Sequence, residues 1–153
     1  MTPQDFENLM RPVMTEIAEG PVDAALEDRL NTAFPTGGEA FEAIESACHA
    51  AIAEGWMCSN GDGDRRYGRV IEASPETRDL SVDVVDLRDI VGPHHRHPTG
   101  EVCMIMPVDA QARFDDRGAG WCVNPPGSEH RPTVTGGRAL VLYLLPNGQI
   151  EFT

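Results

Sequence analysis

The sequence predicts a mainly β protein in which an α-helical segment, residues 1–55, precedes an antiparallel β-sandwich or small barrel, residues 65–153. Two observations predict this fold class. Apolar residues recur at helical spacing in the first third of the chain, and from about residue 69 their period shifts toward two. The chain has 153 residues and no convincing linker, so we expect a single domain over residues 1–153.

The first 55 residues contain three patterns that are typical of amphipathic helices. The first pattern begins at a capping sequence, Thr2-Pro3-Gln4-Asp5, and ends at Gly20-Pro21. The second ends at Pro35 and the third at Gly55. The apolar positions that define the three helices are, in order, Phe6, Leu9, Met10, Val13 and Ile17; Leu26, Leu30 and Phe34; and Phe41, Ile44, Cys48 and Ile52.

Six later segments are predicted to be strands, because apolar residues alternate within them and turn-forming residues separate them. The segments are 69–73, 80–87, 101–107, 121–124, 138–145 and 149–152. Residues 139–145 (ALVLYLL) are apolar on both faces, so both faces must be covered. We expect the cover to come from the three helices or from a second subunit.

Composition excludes several classes of function. The chain has 25 acidic and 12 basic residues, a formal net charge of −13, which argues against nucleic acid and membrane partners. No apolar run approaches the roughly 20 residues of a membrane span, and no signal pattern opens the chain, so a cytoplasmic location is expected. All 12 basic residues are arginine, which excludes chemistry that needs a lysine. The four cysteines form no CxxC pair and are expected to be reduced core thiols.

The residues that predict chemistry lie in two short segments, 92–101 (GPHHRHPTGE) and 125–130 (PPGSEH). His95 and His97 stand two apart, which places both imidazoles on one face of a strand. Glu101 shares that parity if the strand stays regular, and the Pro-Gly turn of the second segment would direct His130 toward the same interior. Three imidazoles and one carboxylate suit a divalent first-row metal, with one or two coordination positions left open. Manganese, iron, cobalt, nickel and zinc all remain possible metals.

The pattern HxHxxxE followed by PxGxxH resembles the two-part signature of the cupins. His95, His97 and Glu101 match the first part, and His130 matches the second. The resemblance implies a double-stranded β-helix, or jelly-roll, barrel that binds one metal, and a homodimer is expected because many cupins pair. Val134 stands where an Asn is usual in the second part.

A closer resemblance covers most of the chain. The helical first third is similar to that of the bacterial 4-hydroxylaminobenzoate lyase family. So are the runs GPHHRHPTGEV (92–102), WCVNPPGSEHRPTV (121–134) and ALVLYLLPNGQIEF (139–152). The resemblance implies an enzyme of nitrobenzoate degradation, which converts 4-hydroxylaminobenzoate to 3,4-dihydroxybenzoate and releases ammonia.

This chemistry assigns roles to several further residues. The metal would act as a Lewis acid and would activate water. A proton carrier must serve the departing groups, and His94, Glu129 and Tyr143 are candidates. The alternatives are a surface or supporting role for His94, simple solvent exposure for Glu129 and core packing for Tyr143. A small aromatic acid substrate needs an arginine for its carboxylate. Six arginines remain open for that role: Arg65, Arg66, Arg69, Arg113, Arg131 and Arg138.

Two other functions use the same ligand set. An iron(II)-dependent dioxygenase acting on a small aromatic or thiol substrate would need the same residues and an open position for oxygen. A metal-bearing module that binds or senses a ligand without catalysis is the third possibility. Turnover without oxygen would exclude the dioxygenase, and product formation would exclude the module.

Overall fold

Ten antiparallel strands follow three helices in the computed structural model, which describes residues 1–153. The helices are α1 (Pro3–Ala18), α2 (Ala24–Ala33) and α3 (Glu39–Glu54). The strands are β1 (Asn60–Asp62), β2 (Arg65–Ile71), β3 (Leu80–Val91), β4 (His95–His97), β5 (Glu101–Pro107), β6 (Arg113–Phe114), β7 (Gly120–Asn124), β8 (Ser128–His130), β9 (Thr133–Pro146) and β10 (Glu151–Phe152). The predicted mainly β fold with a helical N-terminal segment is confirmed.

Local sequence signals account for the ends of the helices. Helix α1 begins at a capping box in which the Thr2 side chain accepts from the backbone N–H of Asp5 and the Asp5 side chain accepts from that of Thr2. Helix α2 begins at Asp23, whose side chain accepts from the N–H of Leu26. Helix α3 ends at Gly55, whose φ of 91° places it in the left-handed region that favours glycine.

The strands form two sheets. The larger sheet has the order β1-β2-β3-β9-β5-β7, with β6 paired to β9, and the smaller sheet has the order β10-β4-β8. The small sheet is built from strands of two or three residues, too short to show an alternating pattern in the sequence. The β region begins at Asn60, five residues before the predicted boundary, because the polar, fully exposed β1 carries no apolar signal.

Strand β9 separates two hydrophobic clusters. Leu140, Leu142 and Leu144 belong to a cluster of 26 buried residues that includes the apolar faces of all three helices. Ala139 and Val141 belong to a second cluster of 10 buried residues inside the barrel. The helices therefore supply one of the two covers that the apolar segment 139–145 requires, and the barrel interior supplies the other.

Helix α2 also covers the open edge of the larger sheet. Strand β7 lies at that edge, and the Asn31 side chain both accepts from the N–H of Trp121 at 3.0 Å and donates to its carbonyl at 3.0 Å. The Glu27 carboxylate accepts from the N–H of Val123 at 2.8 Å. These side chains pair backbone groups that an exposed edge would leave free to join another strand. None of the helices is long and apolar enough to span a membrane.

Replacing Asn31 by Ala should lower the free energy of unfolding by about 1–3 kcal/mol, because two hydrogen bonds to the backbone of Trp121 are lost. Urea denaturation followed by tryptophan fluorescence measures the change. The control is Asn8→Ala on α1, whose hydrogen bonds to Gln4 and Arg11 are exposed. That variant should change stability by no more than about 0.5 kcal/mol. Equal stabilities for the two variants would contradict the edge-covering role.

Candidate metal centre

The small sheet brings the three predicted histidine ligands together. Strand β4 presents His95 and His97 on one face, as their spacing predicts, and both are buried. Strand β8 pairs with it so that His130 lies opposite His95. Gly127 precedes β8 with a φ of 85°, a value that a glycine adopts without strain and that turns the chain back along β4.

Glu101 reaches the same place from a different strand. The condition for a shared parity, one regular strand through residues 95–101, does not hold. Strand β4 ends at His97, and Glu101 opens β5 in the larger sheet, as predicted for the strand 101–107. Gly100 turns the chain between them with a φ of 89°, and a Cβ there would lie 2.9 Å from Val22 and 3.1 Å from the carbonyl oxygen of Asn124. The site therefore lies where the two sheets meet.

The ligand atoms of His95, His97, Glu101 and His130 all lie within 4.8 Å of one another. The Nε2 atom of His130 is 3.0 Å from Nε2 of His95 and 3.1 Å from Nε2 of His97. The Glu101 carboxylate lies 3.1 Å from Nε2 of His97 and 3.7 Å from Nε2 of His130. Three imidazole nitrogens thus converge on one point beside one carboxylate.

The charge states of these groups favour a bound cation. Burial, together with the nearby His97 and His130, lowers the pKa of His95 to about 4, so its imidazole is neutral near pH 7. Burial raises the pKa of Glu101, but hydrogen bonds from His97 and Cys103 and the charges of His97 and His130 outweigh it and lower the pKa to about 2. Glu101 is therefore an ionised carboxylate that is only 1% exposed.

This donor set fits a divalent metal. No arginine pairs with the buried Glu101 carboxylate, whose neighbours are imidazoles, the amide of Asn124 and the thiol of Cys103. An ionised buried carboxylate without a permanently charged partner is costly, and a divalent ion held among the three imidazoles would balance its charge. His95, His97, Glu101 and His130 are the residues that would hold the ion.

Asp115, which no motif in the sequence indicates, orients one of the histidines. Its Oδ2 atom lies 2.7 Å from Nδ1 of His130, while its Oδ1 atom accepts from the N–H of Thr133 at 2.9 Å. Burial lowers the pKa of His130, but the hydrogen bond with Asp115 and the charges of Glu101 and Asp115 outweigh it and raise the pKa. A proton on Nδ1 leaves the Nε2 lone pair free for a metal. Asp115 lies in a turn and has a φ of 49°. The sequence indicates only that this residue type favours turns.

Asn124 and Cys103 hold the Glu101 carboxylate in place. The Asn124 amide and the Cys103 thiol donate to the same oxygen, Oε1, at 2.8 and 3.0 Å. Burial raises the pKa of Cys103 well above its ordinary value, so the thiol remains a proton donor. Neither role has a spacing signature, because each depends on strand β5 and its pairing with β7.

A cavity of about 100 Å³, open to solvent at its mouth, leads to the candidate metal centre. His95, Glu101 and His130 line it, whereas His97 is fully buried behind them. Its apolar walls are Val85, Leu87, Phe114, Pro132 and Phe152. The pocket is therefore largely apolar with a small number of polar groups, as is typical of sites that bind small molecules.

The three predicted proton carriers lie in different places. Tyr143 lines the pocket, and burial raises the pKa of its phenol well above the ordinary value. Glu129 is exposed on β8 opposite Arg96, and His94 contacts Thr153 through its Nδ1 atom. Glu129 alternates with His130 along β8, so its side chain is directed away from the pocket. His94 immediately precedes β4 and does not line the pocket. The structure brings only Tyr143 together with the ligand set.

The six arginines that the sequence offers as carboxylate-binding candidates also lie in different places. Arg65 alone among them lines the pocket. Arg69 pairs with Asp83, and Arg138 pairs with Asp86. Arg66 lies opposite Asp86 in the neighbouring strand and lines a different surface depression. Arg113 donates to the carbonyls of residues 110 and 112, and Arg131 does not line the pocket.

Comparison with known proteins identifies the family. Residues 8–152 match the family model described as PnbB, 4-hydroxylaminobenzoate lyase. The chain belongs to the 4-hydroxylaminobenzoate lyase family. It is 31% identical over 160 residues to a 4-hydroxylaminobenzoate lyase from Nocardioides sp. (strain LMS-CY), a match that covers 99% of this chain and 95% of that protein. A 4-hydroxylaminobenzoate lyase from Pseudomonas putida is 28% identical over 156 residues, covering 91% and 89% of the two chains. The predicted family is confirmed, and the protein is an enzyme of the lyase class.

Solved structures of the cupin type are also similar to this lyase-family chain. An RmlC-like cupin protein from Ralstonia eutropha is 14% identical, with a TM-score of 0.41, and covers 56% of this chain and 57% of its own. An oxalate oxidase in complex with the substrate analogue glycolate is 19% identical, with a TM-score of 0.45, and covers 62% and 58%.

Replacing Asp115 by Asn should weaken metal binding by about 10- to 100-fold. Because Oδ1 already accepts from Thr133, the Asn amide would donate to Nδ1 of His130 and leave the proton on Nε2, where it blocks coordination. A competition titration with a chelator measures the affinity. The control is Asp116→Asn, which makes the same change of charge at the next residue. Asp116 is exposed and also has a positive φ, 66°, and this variant should bind metal as the wild type does. Equal affinities in the two variants would refute the orienting role.

Proposed function

We propose that this member of the lyase family converts 4-hydroxylaminobenzoate to 3,4-dihydroxybenzoate and ammonia, with a divalent metal at the candidate centre. The reaction consumes one water and balances without an oxidant or reductant, because cleavage of the N–O bond reduces the nitrogen while the ring is oxidised. One observation carries the proposal: four convergent ligand atoms lie within 4.8 Å of one another at the wall of an apolar pocket.

The metal held by His95, His97, Glu101 and His130 would supply Lewis acidity toward the hydroxylamino oxygen and would lower the pKa of a bound water. The chain's own groups perform the remaining tasks. The apolar side chains of Val85, Leu87, Phe114 and Phe152 pack around the aromatic ring and exclude bulk water from it.

Tyr143 is the proposed proton donor. Its phenol lines the same pocket as the ligand set, and its raised pKa keeps the hydroxyl protonated at neutral pH. A neutral phenol beside the substrate donates a proton to the hydroxylamino oxygen as the N–O bond breaks. Glu129 and His94 are not needed for this step, since their side chains lie outside the pocket.

The test of the proposed reaction is a product assay under nitrogen, with metal-loaded protein and 4-hydroxylaminobenzoate. We expect 3,4-dihydroxybenzoate and ammonium in equal amounts, because no step consumes oxygen. Turnover only when oxygen is admitted would favour the dioxygenase alternative. Ligand binding without any product would favour the non-catalytic module.

Replacing His97 by Ala should remove bound metal and activity together, because His97 is a fully buried member of the ligand set. Metal content by elemental analysis and product formation are measured on the same sample. His49→Ala changes an exposed histidine on α3 and should leave both values at the wild-type level. Full activity in the His97 variant would defeat the metal-dependent mechanism.

Replacing Tyr143 by Phe should lower kcat by about 10²- to 10⁴-fold, the range associated with loss of a positioned proton donor. KM and metal content should be unchanged, because the ring and the ligand set are retained. Steady-state kinetics with parallel metal analysis measure both effects. A kcat within about threefold of the wild type would assign Tyr143 to packing alone.

A further inference from the structure

The pocket contains one fixed positive charge that the metal centre does not use. Arg65 is the only arginine among its lining residues, and the chain has no lysine. Strand pairing explains its position: Arg65 lies opposite Leu87 and Tyr67 lies opposite Val85, and all four of these residues line the pocket. The pairing of β2 with β3 therefore places the guanidinium in the same cavity as the metal ligands.

The Arg65 guanidinium has no acidic partner within the protein. Seven arginines form ion pairs: Arg11, Arg29, Arg69, Arg88, Arg96, Arg117 and Arg138. Arg65 is not among them, although the chain carries 25 acidic residues and the side chain is partly buried. A partly buried guanidinium with free donors is suited to bind an anion that comes from solution.

Tyr67 fixes the orientation of this group. The guanidinium carbon of Arg65 lies 4.4 Å from the centroid of the Tyr67 ring. Stacking on the ring restrains the long side chain while its N–H groups stay free, so less conformational entropy is lost when an anion binds. The two residues form a preorganised donor fork at the pocket, and a carboxylate is the anion whose geometry matches such a fork.

We propose that Arg65, stacked on Tyr67, binds the carboxylate of the aromatic acid substrate and selects for it. The inference rests on the proposed function for the identity of the substrate, and it explains how a chain of net charge −13 admits an anion. Overall repulsion must be offset locally, and Arg65 supplies that local charge. The aromatic ring then lies between two polar ends, the guanidinium at one and the metal centre at the other.

The test compares the binding of 4-aminobenzoate and 4-aminobenzamide to metal-loaded protein by calorimetry. Neither compound has an N–O bond to break, so the readout does not depend on turnover. The wild type should bind the carboxylate more tightly than the amide. Arg65→Gln should weaken the binding of 4-aminobenzoate by about 10- to 100-fold and leave the affinity for 4-aminobenzamide unchanged. Arg65→Lys retains the charge but not the fork and should give an intermediate loss.

Arg66→Gln is the matched control, because it removes the same charge from the next residue on the opposite face of β2. It should bind 4-aminobenzoate as the wild type does. Three results would each overturn the assignment. They are an unchanged affinity of Arg65→Gln for 4-aminobenzoate, an equal loss of affinity for both compounds, and no binding of 4-aminobenzoate by the wild type. Arg65-dependent binding in a protein that makes no 3,4-dihydroxybenzoate would support the assignment and refute the proposed reaction. Normal product formation, together with unchanged binding of 4-aminobenzoate in Arg65→Gln, would support the proposed reaction and refute the assignment of Arg65.

Discussion

The burial of both faces of β9 is the constraint on which the rest of the structure depends. A strand with apolar side chains on each side cannot face water on either, so two hydrophobic layers must form around it. The helices form one layer and the barrel interior forms the other. A cavity borders the barrel layer, lined in part by Val85, Leu87 and Phe114, and the short β4 and β8 bring His95 and His130 to it. The helical segment is thus part of the support for the site, although it contributes no residue to it.

Electrostatics divides the site into two parts with opposite preferences. Glu101 and Asp115 create a region of negative potential around three imidazoles, which favours a cation. Arg65 creates a positive region in the same pocket, which favours an anion. A molecule with a carboxylate at one end and a metal-binding oxygen at the other satisfies both regions at once. This complementarity would orient a para-substituted aromatic acid in only one direction, which limits the positions at which the ring can react.

The fold class and the grouping of the four candidate ligands could be predicted from the sequence, because both depend on local patterns. Helical spacing and alternation are local, and the HxHxxxE spacing identifies the candidate ligands although β4 and β5 belong to different sheets. What failed to appear in the sequence depends on contacts between distant segments. Asp115 reaches His130 across a turn, and Asn124 reaches Glu101 through strand pairing. The position of Arg65 in the pocket, which the five other arginines do not share, depends on the register between β2 and β3. Strands of two or three residues could not be predicted from the sequence, because no periodicity can be recognised over so short a length.

The alternation of side chains along β2, β3 and β9 has an evolutionary consequence. Every pocket residue on these strands has an odd number, namely Arg65, Tyr67, Val85, Leu87 and Tyr143. The residues of β3 and β9 that pack against the helices have even numbers, as Val82, Val84, Leu140, Leu142 and Leu144 do. Substitutions at odd positions can therefore reshape the cavity while the helix-packed core keeps its side chains. Substitutions at even positions can likewise change that core while the side chains that line the cavity stay the same. Relatives of this protein could diverge in the molecules that their pockets accept without first losing the stability that keeps them folded.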